Sequence, residues 1–338
     1  MNDELLKLIS KTDAATHLKM KSGNFVVNDT IGISLLFSSF YKENPGKFLI
    51  LTSNLYVAQK VSDFIASLLG ENSVFLYPFD DMLRTETLTS SKELLAQRLY
   101  VLSKALENEP KIIVTHVSAL TTSLSTVKEF IMNSFKFEVG KAYNLSEVKE
   151  KLVKAGYEKV NKIDQTLQFA SRGDILDIFP VSHDKPIRIE FFGDEVESIH
   201  YFDVSKQLST EALKEVTFEP ANDVLFEDKE IINFKEKVSE EIAKEPNEER
   251  RKMLQQSMSL DIERIESRYY HSQFYKYTNS IKETTNTLVD YFNPDLIFVS
   301  NKDQIYTTLE FIQKEAKEYF DSLYQNGKLI KNLELYKT

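Results

Sequence analysis

The chain has 338 residues, 42% of them hydrophobic, and a formal net charge of −10, a balance that fits two or three packed globular units and opposes bulk attraction to phosphate backbones. It contains no cysteine, which excludes disulfides, thiolate metal sites and cysteine nucleophiles and fits a reducing cytoplasm; the five histidines show no ligand spacing. The acidic start MNDELLKLISK and the lack of a long apolar run oppose a secretory leader or a membrane span, so a cytoplasmic protein with no membrane contact is expected.

The first third alternates apolar runs with helical patterns: Asn24–Asn28, Ile31–Tyr41, Lys47–Thr52, Leu55–Leu69, Ser73–Tyr77, Ser91–Leu106 and Ile112–Thr115. Strands of about five residues separated by helices of ten or more predict a parallel sheet with right-handed crossovers. The pattern changes around Ser123–Glu129. From Phe135 to Asp203 the chain is strand-rich, with one helix capped by Asn144 or Ser146, striped by Val148, Leu152 and Val153, and stopped by Gly156.

Within this stretch, tight turns are expected at Arg172-Gly173-Asp174 and Phe192-Gly193-Asp194. The run Ile187-Arg188-Ile189-Glu190-Phe191-Phe192 places Ile187, Ile189 and Phe191 on the core face of a strand and Arg188, Glu190 and Phe192 on the outer face. An aromatic beside two charges on an outer face is not required by core packing, and it marks a recognition surface. The plainer alternatives are that Arg188 and Glu190 pair with each other and that Phe192 turns inward at Gly193.

After Glu211 the pattern reads as helical and charged, with Lys229–Lys244 and Glu248–Tyr270 as solvated helix faces. Leu296–Ser300 reads as one more buried strand returning to the first sheet, followed by a helix over Gln304–Leu323. The expected organisation is a first part over 1–122, an inserted domain over 123–210, and a second part over 211–338. Tyr269, Tyr270, Tyr275 and Tyr277 read as packing between helices, and the loop acids Asp80, Asp81 and Glu86 as solvated, so no metal site is expected.

The stretch from Phe169 to Asp203, with its Arg172-Gly173-Asp174 and Phe179-Pro180 landmarks, resembles the second domain of the nucleotide-excision repair protein UvrB and of its relative Mfd, the bacterial transcription-repair coupling factor. The resemblance runs from about Asn24 through Asp303, and its order of landmarks fits the amino-terminal UvrB-like module of Mfd. It implies an α/β fold: a degenerate P-loop, RecA-like parallel-sheet domain split by an inserted α+β domain.

Where such proteins hold a P-loop, this chain reads Val26-Val27-Asn28-Asp29-Thr30-Ile31-Gly32-Ile33-Ser34-Leu35. Ser34 fills the lysine position and Leu35 the hydroxyl position; Gly32 alone remains, between β-branched neighbours that block close approach of backbone to phosphate. The magnesium acids are absent from Phe298-Val299-Ser300-Asn301-Lys302, where Ser300 and Asn301 stand and Lys302 would repel a cation. The run from Tyr77 to Leu88 is too short for the tyrosine-rich hairpin that UvrB inserts into DNA. No cofactor and no catalytic residue is expected.

The resemblance implies docking of UvrA, the damage-recognition ATPase, through Arg172, Arg188, Glu190 and Phe192. UvrB carries a further arginine at the position of Ala170, a departure shared with Mfd. In the complete family protein, further domains engage RNA polymerase and DNA, and a carboxy-terminal domain masks the UvrA-docking face. The leading expectation is a non-enzymatic recruiting module. A UvrB-type helicase-like ATPase and a basic-groove DNA-binding domain are the alternatives.

Overall fold

The computed structural model describes residues 2–19, 29–79, 92–206, 208–268, 274–331 and 333. The expected strand Asn24–Asn28, the loop acids Asp80, Asp81 and Glu86, most of the short run proposed to replace the DNA hairpin, and Tyr269 and Tyr270 lie outside them. In chain order the first elements are α1 (Asn2–Ile9), α2 (Asp13–Lys19), α3 (Thr30–Glu43), β1 (Lys47–Thr52), α4 (Leu55–Leu69), β2 (Val74–Leu76), α5 (Lys92–Leu106), β3 (Lys111–His116) and α6 (Val117–Leu120). Next come α7 (Val127–Met132), β4 (Phe135–Glu138), α8 (Leu145–Lys154), β5 (Glu158–Lys159), β6 (Gln168–Arg172), β7 (Ile175–Phe179), β8 (Ile187–Phe192), β9 (Glu195–Asp203), β10 (Leu208–Leu213) and β11 (Glu215–Phe218). The last are α9 (Asp228–Ala243), α10 (Glu248–Glu266), α11 (Phe274–Ile281), α12 (Leu288–Phe292), β12 (Leu296–Val299) and α13 (Lys302–Gln325).

The chain divides into two compact units: Met1–Asp81 with Lys104–Thr122 and Thr287–Glu315, and Met82–Ser103 with Ser123–Asn286 and Ala316–Thr338. In the first, β1, β2, β3 and β12 form a sheet of order β12-β1-β3-β2, parallel throughout. The return of Leu296–Val299 to this sheet is the expected one, with Phe48 opposite Leu296 on one side and Ile112 on the other. Strands this short and apolar need cover on their faces. Part of that cover is an aromatic cluster in which the ring of Phe37 lies 3.9 Å, centroid to centroid, from that of Phe298, with Phe40 and Phe48 beside it.

The second unit holds a six-stranded sheet of order β10-β9-β8-β7-β6-β5, antiparallel except between β5 and β6, and a ribbon of β4 with β11. Helix α8 starts where Asn144 accepts hydrogen bonds from the Ser146 and Glu147 amides. It ends at Gly156, whose φ of 93° lets the Tyr157 amide reach back to the Leu152 carbonyl at 3.0 Å. A side chain on Gly156 would meet the Asn222 Cβ at 3.0 Å, so both the conformation and the space call for glycine.

The boundary placed at 210/211 is displaced by this pairing. Residues 208–213 form β10 against β9, β11 lies antiparallel to β4, and helix begins only at Asp228, so the chain does not turn helical after Glu211. The whole of 211–286 belongs with the inserted sheet, and Thr287–Glu315 alone of the last part joins the first unit. Ion pairs within the second unit give a physical reason. Arg98 of α5, almost fully buried, donates from Nε to Asp223 Oδ2 at 2.8 Å and from Nη2 to the Tyr275 hydroxyl at 2.6 Å, and Tyr275 in turn donates to Asp223 Oδ1 at 2.6 Å. Lys282, likewise buried, reaches Glu129 at 2.7 Å, Glu230 at 3.1 Å and the Leu225 carbonyl at 3.0 Å. These contacts join the connections into and out of the inserted sheet to α5, α9 and α11, and buried charges of this kind are tolerated only when paired. Tyr277 is fully buried and its hydroxyl donates to Asp261, in keeping with a packing role.

Candidate interaction site

The β6–β7 and β8–β9 connections are both two-residue loops of sequence Gly-Asp, closed by the facing pairs Arg172–Ile175 and Phe192–Glu195. Gly173 and Gly193 have φ of 58° and 62°, while neither aspartate has a positive φ, the pattern of a type II′ turn and one that glycine adopts without strain. The two tips lie side by side: the Phe191 amide donates to the Asp174 carbonyl at 2.8 Å. The Asp194 carbonyl accepts from the Tyr143 amide at 2.6 Å, holding the second tip.

On this scaffold Ile187, Ile189 and Phe191 are buried, as the alternation predicts. A bulge keeps that register to the end of the strand: Ser198 faces Glu190 and Val196 faces Phe191, leaving Glu197 as the extra residue of β9. Phe192 does not turn inward; 81% of its surface is exposed, beside the exposed Gly193 and Asp194. Arg172 is exposed at the neighbouring tip, where its guanidinium donates from Nε and Nη2 to the Asn161 carbonyl at 3.1 and 2.6 Å. Those bonds fix the side chain against the loop before β6 and preset its direction.

Arg188 departs from the expected exposed position. Its side chain retains only 15% exposure and grips Asp177 with two parallel bonds, Nε to Oδ1 at 2.7 Å and Nη2 to Oδ2 at 2.9 Å, with Cζ 4.8 Å from the centre of the Phe202 ring. The bond from Asp177 raises the guanidinium pKa still further above its ordinary value. Glu190 does not pair with Arg188; it accepts from the Ser198 hydroxyl at 2.7 Å. The outer face of the sheet is therefore divided. Phe202 and Ala170 cluster with Ile163, Val160 and Phe179 near one end, the Arg188–Asp177 pair seals that cluster, and Arg172, Phe192 and the turn aspartates stand at the other end. Asp177 and Asn161 were not singled out from sequence. An acid set among the apolar residues of Ile175-Leu176-Asp177-Ile178-Phe179 was the available sign that a cation sits opposite it.

In the segment that the resemblance aligns with a P-loop, Asp29 caps α3, its Oδ1 accepting from the Gly32 amide at 2.6 Å. A P-loop helix offers its free N-terminal amides to phosphate; here a carboxylate of the chain itself already lies there. Ser34 is fully buried, donating to the Thr30 carbonyl at 2.8 Å, and Leu35 is partly buried. The Ser300 amide bonds the Leu51 carbonyl at 2.8 Å, and Asn301, at φ 53°, accepts from the Gln304 amide at 3.1 Å to start α13. Among the described residues no group of three or more His, Asp or Glu is arranged to hold a metal ion. No helix among them is long and apolar enough to cross a membrane.

Residues 135–224 match the family model described as "UvrB interaction domain". The chain is 31% identical over 308 residues to a transcription-repair-coupling factor of Bacillus subtilis (strain 168), an alignment covering 89% of this chain and 26% of that protein. It is 27% identical over 296 residues to the transcription-repair-coupling factor of Staphylococcus aureus (strain bovine RF122 / ET3-1), covering 85% and 25% respectively. The chain thus spans about a quarter of the length of the curated relatives it matches. Most of the chain aligns with about a quarter of the length of such factors and its inserted sheet matches a UvrB interaction domain, so the chain is similar to the UvrB-like module of transcription-repair-coupling factors.

Proposed function

We propose that this chain is a non-catalytic recruiting module that docks UvrA through the two adjacent Gly-Asp hairpin tips, bringing nucleotide-excision repair to stalled RNA polymerase. The observation that carries this reading is Phe192: a phenylalanine with 81% of its surface exposed, on a rigid two-residue turn beside an exposed, oriented arginine. An exposed aromatic of this kind gains burial on association and loses little freedom, while Arg172 keeps donors for a partner carboxylate or carbonyl. Arg188 acts behind this surface by fixing β7 against β8 and does not itself touch the partner. RNA polymerase and DNA are partners of the remaining three quarters of a full-length factor, which in this reading also masks the docking face until it is needed.

The Asp29 cap favours this module over a UvrB-type ATPase, because a nucleotide phosphate would have to displace a bonded carboxylate of like charge. The test is calorimetric titration of UvrA into the chain. Saturable binding that Phe192→Ala and Arg172→Ala each weaken supports the assignment; undiminished binding by the double variant overturns it.

A further inference from the structure

Between α8 and α9 the second unit contains a groove of about 580 Å³ that the reading above does not use. Phe169 and Ile231 line it as buried residues, and Val153 from α8 and Ile232 from α9, which also line it, keep 37% and 54% of their surface exposed. Its charges are unevenly satisfied. Asp228 is held by Lys154 at 2.7 Å and by Arg268 at 2.5 Å, and Glu266 is held by Lys235 at 2.6 Å. Lys149 and Lys159 also line the groove and take part in no ion pair among the described residues, which leaves two unpaired ammonium groups on its lining against the one unpaired carboxylate of Glu150.

We propose that this groove docks an acidic amphipathic helix of a partner protein. Two helices form its walls, and a third helix laid between them would bury its apolar stripe on Val153 and Ile232 in the manner of helix-in-groove recognition. The spare positive charge of Lys149 and Lys159 then selects carboxylates flanking that stripe. Nucleic acid is disfavoured as the occupant, since a phosphate backbone has no apolar stripe to bury on Val153 and Ile232.

The probe is a fluorescein-labelled synthetic helix of about fifteen residues, with leucines at helical spacing on one face and glutamates on its flanks, followed by fluorescence anisotropy. A matched helix with lysines in place of the glutamates is the comparison. Saturable binding of the acidic helix is expected, with the basic helix weaker by about tenfold or more. Lys149→Glu combined with Lys159→Glu should weaken the acidic helix by about tenfold or more and improve the basic one, and Val153→Asp should weaken both. All three positions retain exposed surface, so circular dichroism and melting should match the parent chain. The proposal is overturned if the acidic helix fails to bind, if the basic helix binds as well, or if correctly folded variants bind the acidic helix as the parent does.

Discussion

Asp177 and Arg188 face each other across the β7–β8 ladder, and their two parallel hydrogen bonds of 2.7 and 2.9 Å turn what alternation presents as an outward arginine into part of the sheet's own structure. A half-hidden bidentate pair cannot lose one member without leaving the other desolvated and unpaired. Arg188→Ala should therefore lower stability by about 2–4 kcal/mol, read from urea unfolding, and Arg188→Lys should recover only part of it because an ammonium cannot reproduce the planar fork. The double variant Arg188→Ala with Asp177→Ala should cost clearly less than the two single costs added together. Equal stability of Arg188→Ala and the parent chain would contradict the pairing.

Phe192 separates binding from stability. Its exposure means that Phe192→Ala should change unfolding free energy by no more than about 0.5 kcal/mol. The same change should weaken UvrA binding by about 2 kcal/mol, roughly thirtyfold in Kd by calorimetry. On the opposite face, Ile189→Ala should cost about 2–5 kcal/mol of stability, because Ile189 is fully buried.

If the proposed non-catalytic reading holds, magnesium and ATP should leave the melting temperature unchanged, since a ligand without a site cannot favour the folded state. Asp29→Ala should remove a helix cap and cost about 1 kcal/mol, measured by thermal or urea unfolding, without creating nucleotide binding. ATP turnover that vanished on changing Ser34 or Asn301 would contradict the non-catalytic assignment.

His116 supplies a pH dependence. Burial lowers its pKa from 6.5 to about 4, and its Nε2 accepts the Phe79 amide at 3.2 Å, which requires the neutral ring. Because the folded-state pKa lies below the unfolded one, the unfolded chain binds more protons between those values, and stability falls as pH drops from about 6.5 to about 4. This one group accounts for a loss of about 3 kcal/mol across that window, levelling off below it. Urea midpoints measured at intervals through the window should show a shallower decline for His116→Gln than for the parent chain.

Local pattern alone determined much of this protein. Alternation along Ile187–Phe192 separated the core face from the outer face, Asn144 and Gly156 marked the two ends of α8, and the spacing of apolar runs announced a parallel sheet to which Leu296–Val299 returns. These features are legible because side-chain periodicity, capping and glycine conformation are properties of a few adjacent residues. The tertiary structure decided what depends on distant partners. Whether Arg188 is a contact or a strut is set by Asp177, eleven residues away on another strand, and the membership of residues 211–286 is set by β11 pairing with β4 and by Lys282 meeting Glu129. A charged side chain on an outer strand face has the same local pattern in either role; only the chain's return past it determines whether its charge meets solvent or a buried carboxylate, and desolvation makes that difference worth several kcal/mol.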